Sequence, residues 1–402
     1  MTPVFCCGFE CGQAGNVGQH WSALGTGWSF STSTVRSGAR SIRYNPSAAN
    51  STITGVGGTS GTTKVWRVYI RFATLPSADC ILSWFDYGGS SAGIGFKSSD
   101  SKLYSTVEIA TVNTFGATGV TVTTGVWYRV DVRTVGDLVT GTSDIRVDGA
   151  VCGQATGAFA SANATNPNFG SNAVNISGDI FFDDFVFSET SGDYPIGAGY
   201  VNHFVPTSDG THSISGAADF RRGDTTTDIL NSTTTAYQLV DDVPLDDVTP
   251  DTNDHIRIVA PANAADYVEC VYGPAPGIST PTVAPRAVEV IAEFFAAGTG
   301  LSDEIFKVGT NVITNEVWNG VQVAGTTSGI YKRKHYPLSP FAQEPWEVTG
   351  LTNNFNIMRF RYGYATDANP DKSLMCTMIE AEFEEIILRQ PFPTSIGHPF
   401  FV

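Results

Sequence analysis

The stretch DIFFDDFVFSETSG, residues 179–192, sets two adjacent aspartates in a run of aromatic and branched residues that otherwise reads as a buried strand. Side chains alternate faces along a strand. Ile180, Phe182, Asp184 and Val186 are therefore expected on one side, and Phe181, Asp183, Phe185 and Phe187 on the other. Both faces are apolar, so at least one aspartate must point into packed surroundings. A buried carboxylate without a partner is costly and needs a cation, a metal or well-placed donors.

Outward from that strand, residues 1–190 break into short segments of the same kind, among them SIRYN, KVWRVYIRFATL, CILSWFDYG, KLYSTVEIA, WYRVDVRTV and SDIRVDG. In VWRVYIRFATL, Trp66, Val68, Ile70 and Phe72 alternate with Arg67, Tyr69 and Arg71, which predicts one buried and one wet face. Turn signals such as YGGSSAG and VDGAVCG separate the segments at intervals typical of an antiparallel sandwich. No helix-period run of a dozen residues interrupts them. The Gly-, Ser- and Pro-rich SETSGDYPIGAG reads as a linker or domain corner, placed at 191–202. A second β-rich block follows over 203–390, and the proline-punctuated PFPTSIGHPFFV at 391–402 reads as an extended arm.

Composition agrees. Of 402 residues only 15% are charged, against roughly 25% in ordinary soluble domains, and 42 glycines supply turns. The net charge of −16 argues against a nucleic-acid partner, since phosphate contacts need clustered Lys and Arg. The one basic cluster, YKRKHYP at 331–337, reads as a solvated loop or strand edge. The opening MTPVFCCGFECG lacks the charged and apolar regions of a secretory signal, and no apolar run reaches the ~18 residues of a membrane span. Synthesis and folding in a cytosol, without membrane insertion, are therefore expected. Seven cysteines do not make a disulfide framework. Cys6, Cys7 and Cys11 with His20 lack the paired spacing of a zinc site, so buried reduced thiols are expected.

Five short motifs occur in a distinctive order: CGFECG (7–12), WSFSTSTVRSGARSIRYN (28–45), TGVWYRVDVRTV (124–135), SDIRVDGAVCG (143–153) and FFDDFVF (181–187). Together they resemble the laminin-G-like, concanavalin A-like jelly rolls. The continuation, with Pro206, Thr207, Asp209 and Gly210 and then the acidic run from Asp241 to Asp247, resembles virion structural proteins of tailed bacteriophages. The resemblance implies an N-terminal jelly-roll sandwich followed by a second β-sandwich domain. It further implies a non-enzymatic virion component, made in the host cytoplasm and assembled with other virion proteins. A tail-fibre or baseplate adhesin-like part that contacts host-surface glycans is the favoured role. A capsid-decorating protein or head fibre is the alternative, and a soluble glycan-binding or glycan-cleaving jelly roll is the alternative of another class. Exposed Phe392, Phe400, Phe401 and Val402 on the arm would be covered by a sister subunit, most simply in a trimer.

In carbohydrate-binding jelly rolls the last strand lies beside the first and the two share a structural calcium. Carried over by that resemblance, the ligands are Glu10 with Asp183 or Asp184, and Ser37 or Arg40 supplies a carbonyl. Calcium wants six to eight oxygens at about 2.3–2.6 Å. The other reading is an ion pair with an arginine such as Arg40 or Arg43. The acidic stretch 241–254 lacks an EF-hand pattern and reads as a connector. In MIEAEFEEI, Glu380, Glu382 and Glu384 share a strand face about 6.6–6.8 Å apart, a spacing compatible with glycosidase carboxylates. A charged solvent face explains it more simply. Trp84, Tyr87 and Tyr104 could stack on sugars if exposed, and are expected in the core.

Overall fold

The computed structural model describes residues 3–10, 21, 24–46, 51–55, 61–171, 176–214, 220–222, 236–241, 255–258, 266–274, 280–296, 301–309, 318–324, 330–336, 345–348, 355–364 and 372–385. Every regular element among them is a strand, apart from short 3-10 turns at Ser191–Asp193, Ala236–Leu239 and Phe355–Ile357. The protein is all-β.

Residues up to Ser188 form two antiparallel sheets around one core. The nine-stranded sheet runs Ala150–Val151, Gly141–Val147, Trp127–Val135, Thr63–Thr74, Asp179–Ser188, Ser41–Tyr44 and Trp28–Ser31, with Pro3–Cys7 also paired to Asp179–Ser188 and Ala155–Gly157 to Gly141–Val147. The seven-stranded sheet runs Val120–Thr121, Lys102–Ile109, Ser91–Lys97, Cys80–Asp86, Pro167–Gly170 and Thr52–Thr54, with Val112–Phe115 beside Lys102–Ile109. Trp66, Val68, Ile70 and Phe72 meet Leu82, Phe85, Ile94 and Phe96 between the sheets. The rings of Trp66 and Phe85, and of Phe169 and Phe182, have centroids 5.0 Å apart. The VDG turn closes as expected: Asp148 and Gly149 have φ of 51° and 88°, the two positive values that a tight hairpin needs. First and last strands are neighbours, with Cys6 opposite Val186 and Cys7 opposite Phe185.

The simple alternation expected for 179–188 does not hold. Asp184 has φ of 51°, and the register against Thr63–Thr74 jumps between Asp183 and Val186. This is a β-bulge, which adds a residue and flips the facing of everything after it. Ile180 and Phe182 enter the core before the bulge, Phe185 and Phe187 after it. Asp183 already faces outward by alternation with Phe182, and the bulge brings Asp184 to the same outer side of the sheet.

That outer side is not wet. From Gly199 onward the chain builds a ten-stranded antiparallel sheet whose order is Phe220–Arg222, Ile256–Ile258, Lys372–Glu384, Gly199–Asp209, Tyr267–Pro274, Arg359–Tyr364, Leu301–Gly309 and Trp318–Ala324. Pro285–Ala296 pairs with both Lys372–Glu384 and Ile330–Tyr336. It has its own core, including Phe204, Tyr272, Val288, Trp346, Phe355 and Phe383. This second body covers the face that carries Arg67 and Tyr69, which are 0% and 6% exposed. The segment 191–202 is accordingly a packed corner: Ile196 and Val201 join Cys6, Val65 and Val186 in a small cluster between the bodies. The basic YKRKHY run lies in Ile330–Tyr336, which pairs on one side only among the described residues. The arm 391–402, the acidic residues 242–254, Cys11 and His20 lie outside the described residues.

Candidate functional site

The feature that the paired aspartates create is a buried charge cluster between the two bodies. Asp184 accepts from Arg36 Nη1 at 2.6 Å, from Ser37 Oγ at 2.6 Å and from Val201 N at 2.6 Å. Asp183 accepts from the backbone of Arg36 at 2.8 Å and from Asp184 N at 2.8 Å. Glu10 takes Ala39 N at 3.1 and 3.0 Å on its two oxygens. The 36–39 turn thus lays backbone N–H groups on Asp183 and Glu10 and the Arg36 and Ser37 side chains on Asp184. Glycine is required at 38, where φ is +67° and a Cβ would lie 1.7 Å from Glu10 Oε1.

Arg36 links the bodies further, donating to Gly199 O at 3.0 Å and to Glu385 at 2.5 Å while its guanidinium lies 3.4 Å over the Tyr69 ring. Behind it, Arg67 pairs with Glu382 at 2.7 Å, both side chains being wholly buried, and also donates to Asp184 O at 3.2 Å. Arg286 reaches the same Glu382 oxygen and donates to Ile196 O at 3.3 Å. Glu289 accepts from Cys6 N at 3.4 Å. Gly199 is the point of closest approach, since a Cβ there would lie 2.4 Å from Arg67 Nη1 and 2.5 Å from Glu382 Oε1. Gly199→Ala is expected to cost about 1–3 kcal/mol by overpacking this contact, read from urea unfolding. A loss below about 0.5 kcal/mol would show that the junction yields freely.

The electrostatics follow from burial. Asp183 has its pKa pushed well above the usual carboxylate range, first by burial and then by Asp184 and Glu10, so it tends to hold a proton. Burial alone would lower the pKa of Arg36, but the charge of Asp184 and its neighbours outweighs it and the pKa rises. The same balance, with Glu382 as the main opposing charge, raises Arg67. His203 Nδ1 stands 3.2 Å from Glu10 Oε2 but off the line of a hydrogen bond. Burial, then Arg40, lowers the His203 pKa to about 4, so this contact brings a neutral ring against the acid.

The structure brings Glu10, Asp183, Asp184 and Ser37 together as the sequence implied, but the guanidinium that answers them is Arg36. Arg43 instead makes a pair with Asp179 at 2.7 Å, and Arg40 donates to Glu10 O at 3.3 Å. The carboxylate oxygens already accept from N–H and O–H donors, and Arg36 stands where a cation would. Among the described residues no three His, Cys, Asp or Glu side chains are grouped to hold a metal ion. This donor set fits a guanidinium-paired acid cluster and does not fit a six-to-eight-oxygen calcium shell. EDTA is therefore expected to leave the melting temperature unchanged; a fall that added calcium reverses would overturn this.

Other candidates resolve by burial. Glu382 is enclosed by two arginines, so the 380–384 segment is not a solvent-facing acid ladder, although Glu384 is exposed. Trp84, Tyr87, Tyr104 and Trp346 are 7%, 0%, 6% and 3% exposed; Tyr87 and Trp346 sit in the two cores, and Tyr104 packs against Phe115. Cys6, Cys7, Cys80, Cys152 and Cys270 are buried thiols, and burial pushes Cys80 up to about 12 and Cys152 up to about 11. Among the described residues, open grooves lie on the nine-stranded sheet. One, of about 470 Å³, is lined by Ser29, Ser31, Thr34, Arg43, Asp179 and Phe181. A second, of about 320 Å³, lies where the bodies meet and is lined by Arg36, Tyr69, Trp127, Arg129, Asp148 and Glu385, with Ala198. The sequence held no signal for the second groove, because its residues come from six separate places in the chain. No helix among the described residues is long and apolar enough to cross a membrane.

No family model matches the chain, and no curated protein is similar to it. Among solved structures, a sialidase superposes on 43% of this chain at 9% identity and a TM-score of 0.33, and the chain spans 17% of it. The receptor-binding domain of botulinum neurotoxin type G superposes on 76% of this chain and 74% of its own length, at 11% identity and a TM-score of 0.29. An alginate lyase from Zobellia galactanivorans covers 42% of this chain and 83% of its own, at 7% identity and 0.30. At these scores the architecture is read from the strand pairing itself.

Proposed function

We propose that this protein is a non-enzymatic structural component that works by assembly and surface contact. The setting proposed is the one its motifs resemble, a tailed-phage virion, with a tail-fibre or baseplate adhesin-like role. The observation that supports this is the junction. Arg36 and Arg67 of the sandwich bind acids and a carbonyl of the second body, Arg286 of the second body holds the corner carbonyl of Ile196, and the Arg67–Glu382 pair is sealed from water. Separating the bodies would expose or strand those charges, so they behave as one rigid piece. A rigid piece suits a part that holds position between neighbours better than an enzyme that opens and closes on substrate. Glu382 is also buried between two arginines, away from solvent.

Mass spectrometry and immunogold labelling of purified virions test the setting, and absence from the particles would overturn it. Deleting residues 391–402 is expected to leave the β-sandwich folded and to abolish oligomerisation or incorporation, read by light scattering and particle composition. Normal assembly of the truncated chain would remove the arm from the interface. A second reading, a glycan-binding protein outside any virion, draws its support from the polar groove lined by Ser29, Ser31, Arg43 and Asp179. Steady polysaccharide cleavage lost on Glu384→Gln would return the protein to the enzymes.

A further inference from the structure

We infer that the groove at the meeting of the two bodies is a binding site for a single neutral sugar unit, with Trp127 as its stacking face. The inference deepens the surface-contact reading above by giving that contact an address, and rests on it.

The groove belongs to neither body alone. The sandwich contributes Arg36, Tyr69, Trp127, Arg129 and Asp148, while Ala198 comes from the corner segment and Glu385 directly follows Lys372–Glu384 of the second body, the two joined by Glu385 N donating to Ala198 O at 3.3 Å. Junctions of this kind are preferred places for small-ligand sites, and about 320 Å³ lies at the small end of their range. Its walls are held rigidly. Arg36 is fixed by Asp184 and Glu385, and Arg129 by Asp131 through Nε at 2.9 Å. Asp148 is fixed by the backbone N–H of Arg129 at 2.9 Å. A site that needs no reordering loses less entropy on binding.

The chemistry left over is what a polyol needs. Asp148 uses Oδ1 on Arg129 N, and Glu385 uses Oε2 on Arg36, so each keeps a second oxygen to accept a ligand hydroxyl. Arg129 uses Nε on Asp131 and keeps its two terminal nitrogens as donors. Arg36 covers the Tyr69 ring, which leaves the half-buried indole of Trp127 as the aromatic surface for the C–H face of a sugar. Two guanidinium groups and two carboxylates balance formally. A phosphate or carboxylate ligand would meet Asp148 and Glu385, and a cation would meet Arg36 and Arg129. Vicinal hydroxyls, which both donate and accept, meet neither conflict.

Saturation-transfer NMR on the full chain with methyl glucoside, methyl galactoside and N-acetylglucosamine tests this, with sialic acid as the charged comparison. Binding of a neutral sugar is expected, weakened at least tenfold by Trp127→Ala and several-fold by Asp148→Asn, a change the turn at 148 accommodates. The melting temperature of each variant shows that it is folded. Equal binding by wild type and both folded variants would place the sugar elsewhere and overturn the groove while the surface-contact reading stands. Binding of sialic acid alone would overturn the neutral class. No saturation transfer to any probe would overturn the site, and the arm-deletion experiment would still decide the assembly role independently.

Discussion

Arg67→Met is expected to destabilise the protein by about 3–5 kcal/mol, the usual cost of removing one partner from a fully buried pair. The loss comes less from the missing attraction than from Glu382, which stays enclosed with a charge it cannot hydrate. Arg286, the other cation on Glu382, is partly exposed and compensates incompletely. Arg67 also donates to Asp184 O, so that carbonyl loses its donor as well. The double change Arg67→Met with Glu382→Leu is expected to recover most of the loss, because two apolar groups replace two charges. Calorimetry should show one transition in the wild type and two in Arg67→Met, as the sandwich and the second body uncouple. A cost below about 1 kcal/mol, the range of exposed pairs, would mean that water reaches the junction and the bodies are not fused.

The second large effect is a loss of stability in acid. His203 has a folded-state pKa of about 4 against an ordinary value near 6.5, with burial as the first cause and Arg40 as the second. The unfolded chain therefore binds the proton first as pH falls. The neutral ring contributes fully above about 6.5, and that contribution is lost as pH falls through about 4. Up to about 3 kcal/mol is at stake. Asp183 slopes the other way: its folded pKa is raised, so its contribution is full below the unfolded value of about 3.9 and declines as pH rises through the folded one. Melting temperatures taken from pH 7 downward should fall in the wild type and much less in His203→Gln. An identical acid limb in the two proteins would show that another group controls it.

Much of the fold was legible in the chain. Trp66, Val68, Ile70 and Phe72 were assigned to the core by period alone and are there. The VDG turn needs two positive φ values and has the residues that accept them. Adjacent first and last strands, implied by the resemblance to jelly rolls and not by any local pattern, are paired. The core period and the turn depend on neighbours in sequence or on a pattern repeated along a strand, which is the information a sequence carries directly.

Three things depended on contacts that period cannot encode. The bulge at Asp184 came from a backbone choice at one residue; it put Asp184 on the same outer side as Asp183 and turned Phe185 and Phe187 into the core. Arg67 read as wet because its strand alternates, yet it is buried because a second body 315 residues along the chain lays Glu382 on it. Arg36 was passed over for Arg40 and Arg43, since which arginine reaches an acid depends on how the 36–39 turn folds back. The junction groove, assembled from residues spread between Arg36 and Glu385, had no local trace at all. The sequence by itself determined the β class, the sandwich core and the presence of acids that had to be answered. Only the tertiary structure decided which cations answer them, because charge pairing is settled by distance across a packed interface, whereas hydrophobic pattern is settled by position along a strand.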